Sequence, residues 1–420
     1  MRNKSKYLFS LFLILLVPVS LSAHSHNLNA SPVSLSAQIG GNFKGPPEDI
    51  HTKISPGARK LLEKVYSSLN GELLRDHHLH VVGVDEKQGT TVHPKMLTLL
   101  HPMHYLKAQI YLSAAGVDNI QEGNAQYIQR LLNLIRNNPS MGKSHILAFD
   151  HHYRSDGTIN YEKSEFYVSN EYMFALYRKY PNIFEPVISV HPYRKDAIAE
   201  LEKWGKEGVK WIKWLPNAQG MDASNPKIDE YYQTMKKYNM VLLTHVGEEQ
   251  AVEAQEDQKL GNPLLFRRPL DMGVKVVMAH CASLGKNEDL DRIDKPEANS
   301  FDLFMRLLKE PKYEKLLYGE ISAMTQFNRL PDPLLTLLAH PELHHRLING
   351  SDYPLPAINI LIQTRSLVKY GMLTKEERGY LNEIYQYNPL IFDYALKRTI
   401  RHPQTGVKLD KAIFTRNVGN

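Results

Sequence analysis

The sequence predicts one closed (β/α)8 TIM barrel, an α/β fold with an N-terminal covering helix and a C-terminal helical extension. Three observations predict it. Eight short apolar segments recur along the chain, each separated from the next by a helix-sized connection. Several of them end in a polar side chain, and the carboxyl ends of parallel barrel strands are where such folds keep their chemistry. No Gly-x-Gly-x-x-Gly follows the first segment, which counts against an open dinucleotide-binding sheet.

The elements follow in order. Ser55-Pro56 has the form of an N-cap followed by Pro at the first helical position. Leu61, Leu62, Val65, Tyr66 and Leu69 then give an apolar face at helical spacing, suited to covering the bottom of the barrel. Strands are expected near 73–81, 145–150, 184–190, 208–214, 240–245, 274–280, 317–322 and 347–352. Helical segments are expected at 94–115, 121–137, 164–180, 196–204, 226–238, 262–272, within 287–315 and at 332–346. Residues 374–399 read as a closing helical segment and 400–420 as a basic tail lying on the surface. The barrel domain therefore spans 55–399, preceded by a Ser-, Asn-, Gly- and Pro-rich leader at 23–54.

Residues 1–22 have a different character. Arg2, Lys4 and Lys6 precede an apolar run from Tyr7 to Val19 and the small residues of Ser20-Leu21-Ser22. This is the pattern of a secretory signal peptide, and the run is shorter than a spanning helix needs. A secreted or periplasmic location follows, with no stable membrane insertion once the signal is removed. Composition agrees with a globular domain, 42% hydrophobic and 23% charged. The net charge is +6; without the three basic residues of 1–22 it falls to +3, too mild to argue for nucleic acid. Cys281 is the sole cysteine, so no internal disulfide exists. The expected partner is a small-molecule substrate, and a homo-oligomer is compatible with the sequence.

The strand ends carry the chemistry. His78 and His80 lie two apart on the first strand and so face one side, with Asp76 expected one step deeper and His77 on the opposite face. A pair of histidines alone is as readily explained by hydrogen-bonded packing. His245 and His280 end the fifth and sixth strands, Lys213 the fourth and Asp352 the eighth, and the ordered series describes a metal site. His280 has a second reading, holding a substrate oxygen or leaving group. Asp352 has a competing one as a helix N-cap before Tyr353-Pro354. Cys281 is expected to pack behind the site. His191 and Arg194, after the third strand, are the candidate substrate contacts, with Arg194 suited to a carboxylate or carbonyl. Glu320 in the seventh strand is a weaker candidate, for which solvation or a structural role is the default; Glu248 and Glu249 after His245 could orient the ligands from behind, with loop solvation the default.

Asp76-His77-His78-Leu79-His80, Thr244-His245-Val246-Gly247, Ala279-His280-Cys281-Ala282 and Gly350-Ser351-Asp352-Tyr353-Pro354 resemble, in order, the motifs of the amidohydrolase superfamily. The similarity is to its amidohydrolase-related branch, over roughly 55–395. The resemblance implies a divalent metal, Zn2+ first, held by His78, His80, His245, His280 and Asp352. It implies two metals if Lys213 is carboxylated and one otherwise, and it gives Asp352 the transfer of a proton from a metal-activated water to the leaving group. The implied function is an exported metal-dependent hydrolase of an amide, ester or lactone carbonyl. Two alternatives stand beside it: a metal-dependent nonoxidative decarboxylase, a lyase on the same barrel, and a non-catalytic metal-binding barrel.

Overall fold

The computed structural model describes residues 39–41, 45–69, 73–140 and 142–419. The expected signal peptide at 1–22, and the leader up to residue 38, lie outside the described residues. Eight parallel strands form one sheet in sequence order: β1 Arg75–His80, β2 Lys143–Leu147, β3 Phe184–Ile188, β4 Trp211–Trp214, β5 Val241–Thr244, β6 Lys275–Met278, β7 Leu317–Glu320 and β8 Leu347–Ile348. The chain running on from β8 closes the sheet on β1. His77 N–H donates to Asn349 O at 3.0 Å, Asp352 N–H to His78 O at 2.7 Å, and His80 N–H to Tyr353 O at 2.9 Å. All eight predicted strands are present, most of them shorter than expected, because the pairing ends where the chain turns into the loops at the barrel mouth.

The connections differ more. The segment expected as one helix at 94–115 holds a short 3-10 turn, Pro94–Leu97, and a helix, Pro102–Ala114. Thr90–Val92 before it pairs antiparallel with Phe166–Val168, so a two-stranded flap stands over this side of the barrel. Residues 286–288 and 297–299 form a second hairpin ahead of the helix Ser300–Leu308. The closing segment is two helices, Lys375–Tyr385 and Pro389–Thr399, divided at Asn388-Pro389.

The helix Pro56–Ser67 starts as its sequence predicts. Ser55 Oγ accepts from Ala58 N–H at 3.2 Å and donates to Glu383 Oε2 at 2.7 Å, tying this helix to Lys375–Tyr385. Ser55→Ala removes both bonds and is expected to cost about 1–2 kcal/mol, read as a lower denaturant midpoint.

The barrel interior is packed by Leu147, Val187, Trp211, Val241, Leu243, Val277 and Ile348. Val418 belongs to the same cluster. The tail therefore does more than lie on the surface. His77 Nε2 donates to Arg416 O at 2.8 Å and Lys275 Nζ to Val418 O at 3.0 Å, so residues 416–418 stopper the amino-terminal end of the strands. The opposite end stays open, and the polar side chains collect there.

Candidate metal centre

Strand β1 departs from simple alternation. Its register against β2 shifts between Asp76 and Leu79, where three steps on β1 match two on β2. A bulge of this kind turns two successive side chains to one face. His77 stacks near Trp211 (centroids 5.0 Å apart) while His78 Nε2 lies 3.1 Å from Lys213 Nζ. Trp211 and Lys213 are two apart on β4 and share a face, so both histidines point inward, His77 deep and His78 at the mouth. The expectation of His77 on the opposite face is corrected. Asp76 is displaced as well: its Oδ1 accepts from the N–H groups of His78 (3.1 Å) and Ser351 (2.8 Å), so it braces the β1–β8 seam.

At the mouth, the donors converge. His78 Nε2 and His80 Nε2 are 3.2 Å apart, and Asp352 Oδ1 lies 3.4 and 3.3 Å from them. His280 Nε2 is 3.9 Å from Asp352 Oδ2. His78, His245, His280, Lys213 and Asp352 are all buried, while His80 is partly exposed. The backbone is unusual at two of these residues: φ is +56° at His280 and +59° at Asp352. Non-glycine residues seldom adopt this region, and where they do a functional constraint is a common cause.

The outward-facing nitrogens are tied down. His78 Nδ1 meets Glu320 Oε2 at 2.9 Å, His245 Nδ1 meets Glu249 Oε2 at 3.2 Å, and His280 Nδ1 meets Ser322 Oγ at 2.8 Å. A carboxylate on Nδ1 keeps the proton there and leaves Nε2 as a lone pair aimed at the centre. His245 Nε2 is buried and has no hydrogen-bond partner. An orphaned buried imidazole nitrogen is costly. A cation among these donors would relieve that cost, and the set of imidazole and carboxylate ligands suits Zn2+ or a related divalent ion. Burial lowers His245 to about 4 and holds His78 and His280 well below the ordinary histidine value, so the lone pairs are free at neutral pH.

Glu320 accepts from His78, from Ser322 N–H and from Ser322 Oγ at 2.7 Å, and burial raises it to about 7. With its oxygens so engaged it orients His78. Glu249 is buried too, and accepts from Val252 N–H at 3.0 Å. For both glutamates the default gives way to a defined role, the holding of a histidine: the orienting role open to Glu249 from the sequence, and a new one for Glu320. Arg329, buried with Nη1 on Ser283 Oγ at 3.0 Å, had no sequence signal. Burial pulls Lys213 down to about 8, against the pull of Asp352 and Glu320.

Not every candidate joins this group. His191 is fully buried, with Nε2 on Gln219 O at 2.9 Å and Nδ1 accepting from Tyr193 N–H at 3.1 Å. Arg194 pairs with Asp150 at 3.1 Å and Asp196 at 2.8 Å. Neither lines the cavity above the centre. Their polar atoms are consumed by partners that the sequence did not connect to them. Cys281 lies behind the site, its Sγ 3.6 Å from Glu320 O, as expected. A second group, His104, Glu165 and Glu253, contains the ammonium groups of Lys107 and Lys95 at its carboxylates, which makes it an ion-pair network.

No family model matches the chain, and no curated protein matches it. Among solved structures it is similar to an amidohydrolase II (16% identity, 74% of this chain and 99% of that chain, TM-score 0.42). It is similar to 5-carboxyvanillate decarboxylase from Sphingomonas paucimobilis (10% identity, 75% and 99%, TM-score 0.45). A probable 2-pyrone-4,6-dicarboxylic acid hydrolase from Acinetobacter baumannii is a further match (12% identity, 76% and 97%, TM-score 0.39). The barrel assignment rests on the strand order and closure described above.

Proposed function

We propose that this chain is a metal-dependent hydrolase acting on an amide, ester or lactone carbonyl. The observation that carries this reading is the gathering of the Nε2 atoms of His78, His80 and His280 about one carboxylate, Asp352, in a cavity that the orphaned His245 also lines. A divalent cation bound there supplies Lewis-acid polarisation and lowers the pKa of water. His78, His80, His245 and Asp352 would hold it. Asp352 takes the proton released by water and returns it to the leaving group. His280, held by Ser322, is placed to steady the substrate oxygen. The decarboxylase alternative gains nothing from Arg194, whose guanidinium is occupied by Asp150 and Asp196.

Lys213 bears on the metal count. A buried ammonium 3.1 Å from His78 Nε2 would repel a cation, whereas a carboxylated Lys213 would supply two oxygens of the needed charge. The basic start and apolar run at 1–19 support export. Among the described residues no helix is long and apolar enough to cross a membrane.

The test is elemental analysis beside turnover. Protein prepared with bicarbonate is expected to hold two divalent ions per chain and to hydrolyse members of an ester, lactone and amide panel. A chelator is expected to abolish that turnover, and added Zn2+ to restore it. Protein that retains no metal, or whose turnover ignores the chelator, refutes the proposal.

A further inference from the structure

Resting on the hydrolase reading, we propose a substrate class: carbonyl compounds whose flanking group is an uncharged apolar chain or ring. The cavity above the metal centre has a volume of about 120 Å³ and divides sharply by chemistry. Its ionisable groups, His78, His80, Lys213, His245, Glu249, His280 and Asp352, are those of the metal centre and its supports. The walls are Val82, Val84, Val92, Leu112, Phe149 and Val252 with further apolar neighbours. Among the described residues, no Arg, Asn, Gln, Ser or Thr lines it, and Lys213 is its one lysine.

Two tyrosines contribute, but not their hydroxyls. Tyr111 OH donates to Ala251 O at 2.9 Å and Tyr127 OH to His80 O at 2.6 Å, which leaves the rings to line the cavity. The helix Pro102–Ala114 presents Ala108, Tyr111 and Leu112, with Ala115 just beyond, a stripe at i, i+3, i+4 and i+7. On the other side, the flap contributes Val92, Phe166 and Val168. At the lip, Leu97 is 40% exposed and Leu99 and Leu100 follow at 74% and 86%, so the apolar surface continues outward. A carboxylate or sugar hydroxyl held against these walls would lose its water and find no partner. An alkyl or aryl group would gain with every carbon buried.

The experiment uses the metal-loaded protein and p-nitrophenyl esters from acetate to octanoate. Each is paired with an ester of similar length ending in a second carboxylate. We expect kcat/KM to rise about two- to fourfold per methylene and the carboxylated partners to be at least about 100-fold slower. Leu112→Lys should flatten the slope and narrow the gap; Val92→Lys, on the flap, serves the same purpose should the first variant fail to fold. A flat series, or preference for the carboxylated esters, overturns the substrate class and leaves the hydrolase reading intact. Should no ester be turned over, calorimetric titration with octanamide and its carboxylated counterpart, suberamic acid, decides. Tighter binding of octanamide, weakened by Leu112→Lys, supports the apolar site whatever the outcome for the hydrolase reading. Binding of suberamic acid alone, or of neither, overturns the inference.

Discussion

Replacement of Asp352 by Asn is expected to lower kcat by about a thousandfold, the middle of the range for a positioned general base. The side chain is buried and its Oδ1 stands within 3.4 Å of two imidazole nitrogens. Its position is fixed from the backbone: its N–H donates to His78 O and its carbonyl accepts from Leu355 N–H at 2.9 Å. Asn has the same shape and keeps one oxygen toward the centre, so the fold and most of the bound metal should survive. What Asn lacks is a site for the proton. The expected result is thus a large loss of kcat, a small change in KM and metal content near that of the parent. Unchanged turnover would remove Asp352 from the chemistry. Loss of metal in step with activity would make it a ligand first.

The legibility of this site in the sequence varied with physical cause. His78, His80, His245, His280 and Asp352 stood out as an ordered series at the ends of predicted strands, where any one of them alone has an ordinary explanation in packing or capping. His77 and Asp76 were misplaced because the bulge in β1 depends on pairing with β2 some 70 residues away, and alternation cannot reveal it. Glu320 and Glu249 looked ordinary because a carboxylate near a strand end is usually solvated. In the fold Glu320 is bonded by Ser322 and Glu249 by the backbone of Val252. Arg194 looked free because Asp150, its partner, lies on another connection. The flap at 90–92 and 166–168 escaped notice since each strand is three residues long and follows no clear alternation. It matters, because with the helix Pro102–Ala114 it builds the cavity walls. The eight strands were easy to read; the chain that shapes the pocket was not.

The second large effect lies behind the site. Lys397→Met is expected to destabilise the protein by about 3–5 kcal/mol, the usual cost of leaving one buried charge without its partner. Lys397 is 1% exposed and Asp393 3%. Lys397 Nζ donates to Asp393 Oδ2 at 2.6 Å and to Gly350 O at 2.7 Å. The helix Pro389–Thr399 thereby holds the segment that carries Asp352, two residues beyond Gly350. Burial raises Asp393 to about 6 even with Lys397 opposing the shift, and without Lys397 the carboxyl rises further. The sign of the pH effect follows. A carboxyl with a raised folded pKa binds more protons in the folded chain, so its stability contribution falls as pH rises from the unfolded value of about 4 through the folded one. Unfolding midpoints of Lys397→Met should therefore lie far below the parent's at pH 8 and much closer at pH 5. Adding Asp393→Leu removes the stranded charge and should recover most of the loss at pH 8, leaving only the lost bond to Gly350. That double variant also separates support from chemistry: with stability recovered, any remaining fall in kcat measures how strictly Gly350 must be held for Asp352 to work. Equal destabilisation at both pH values would show that Asp393 does not carry the charge assigned to it.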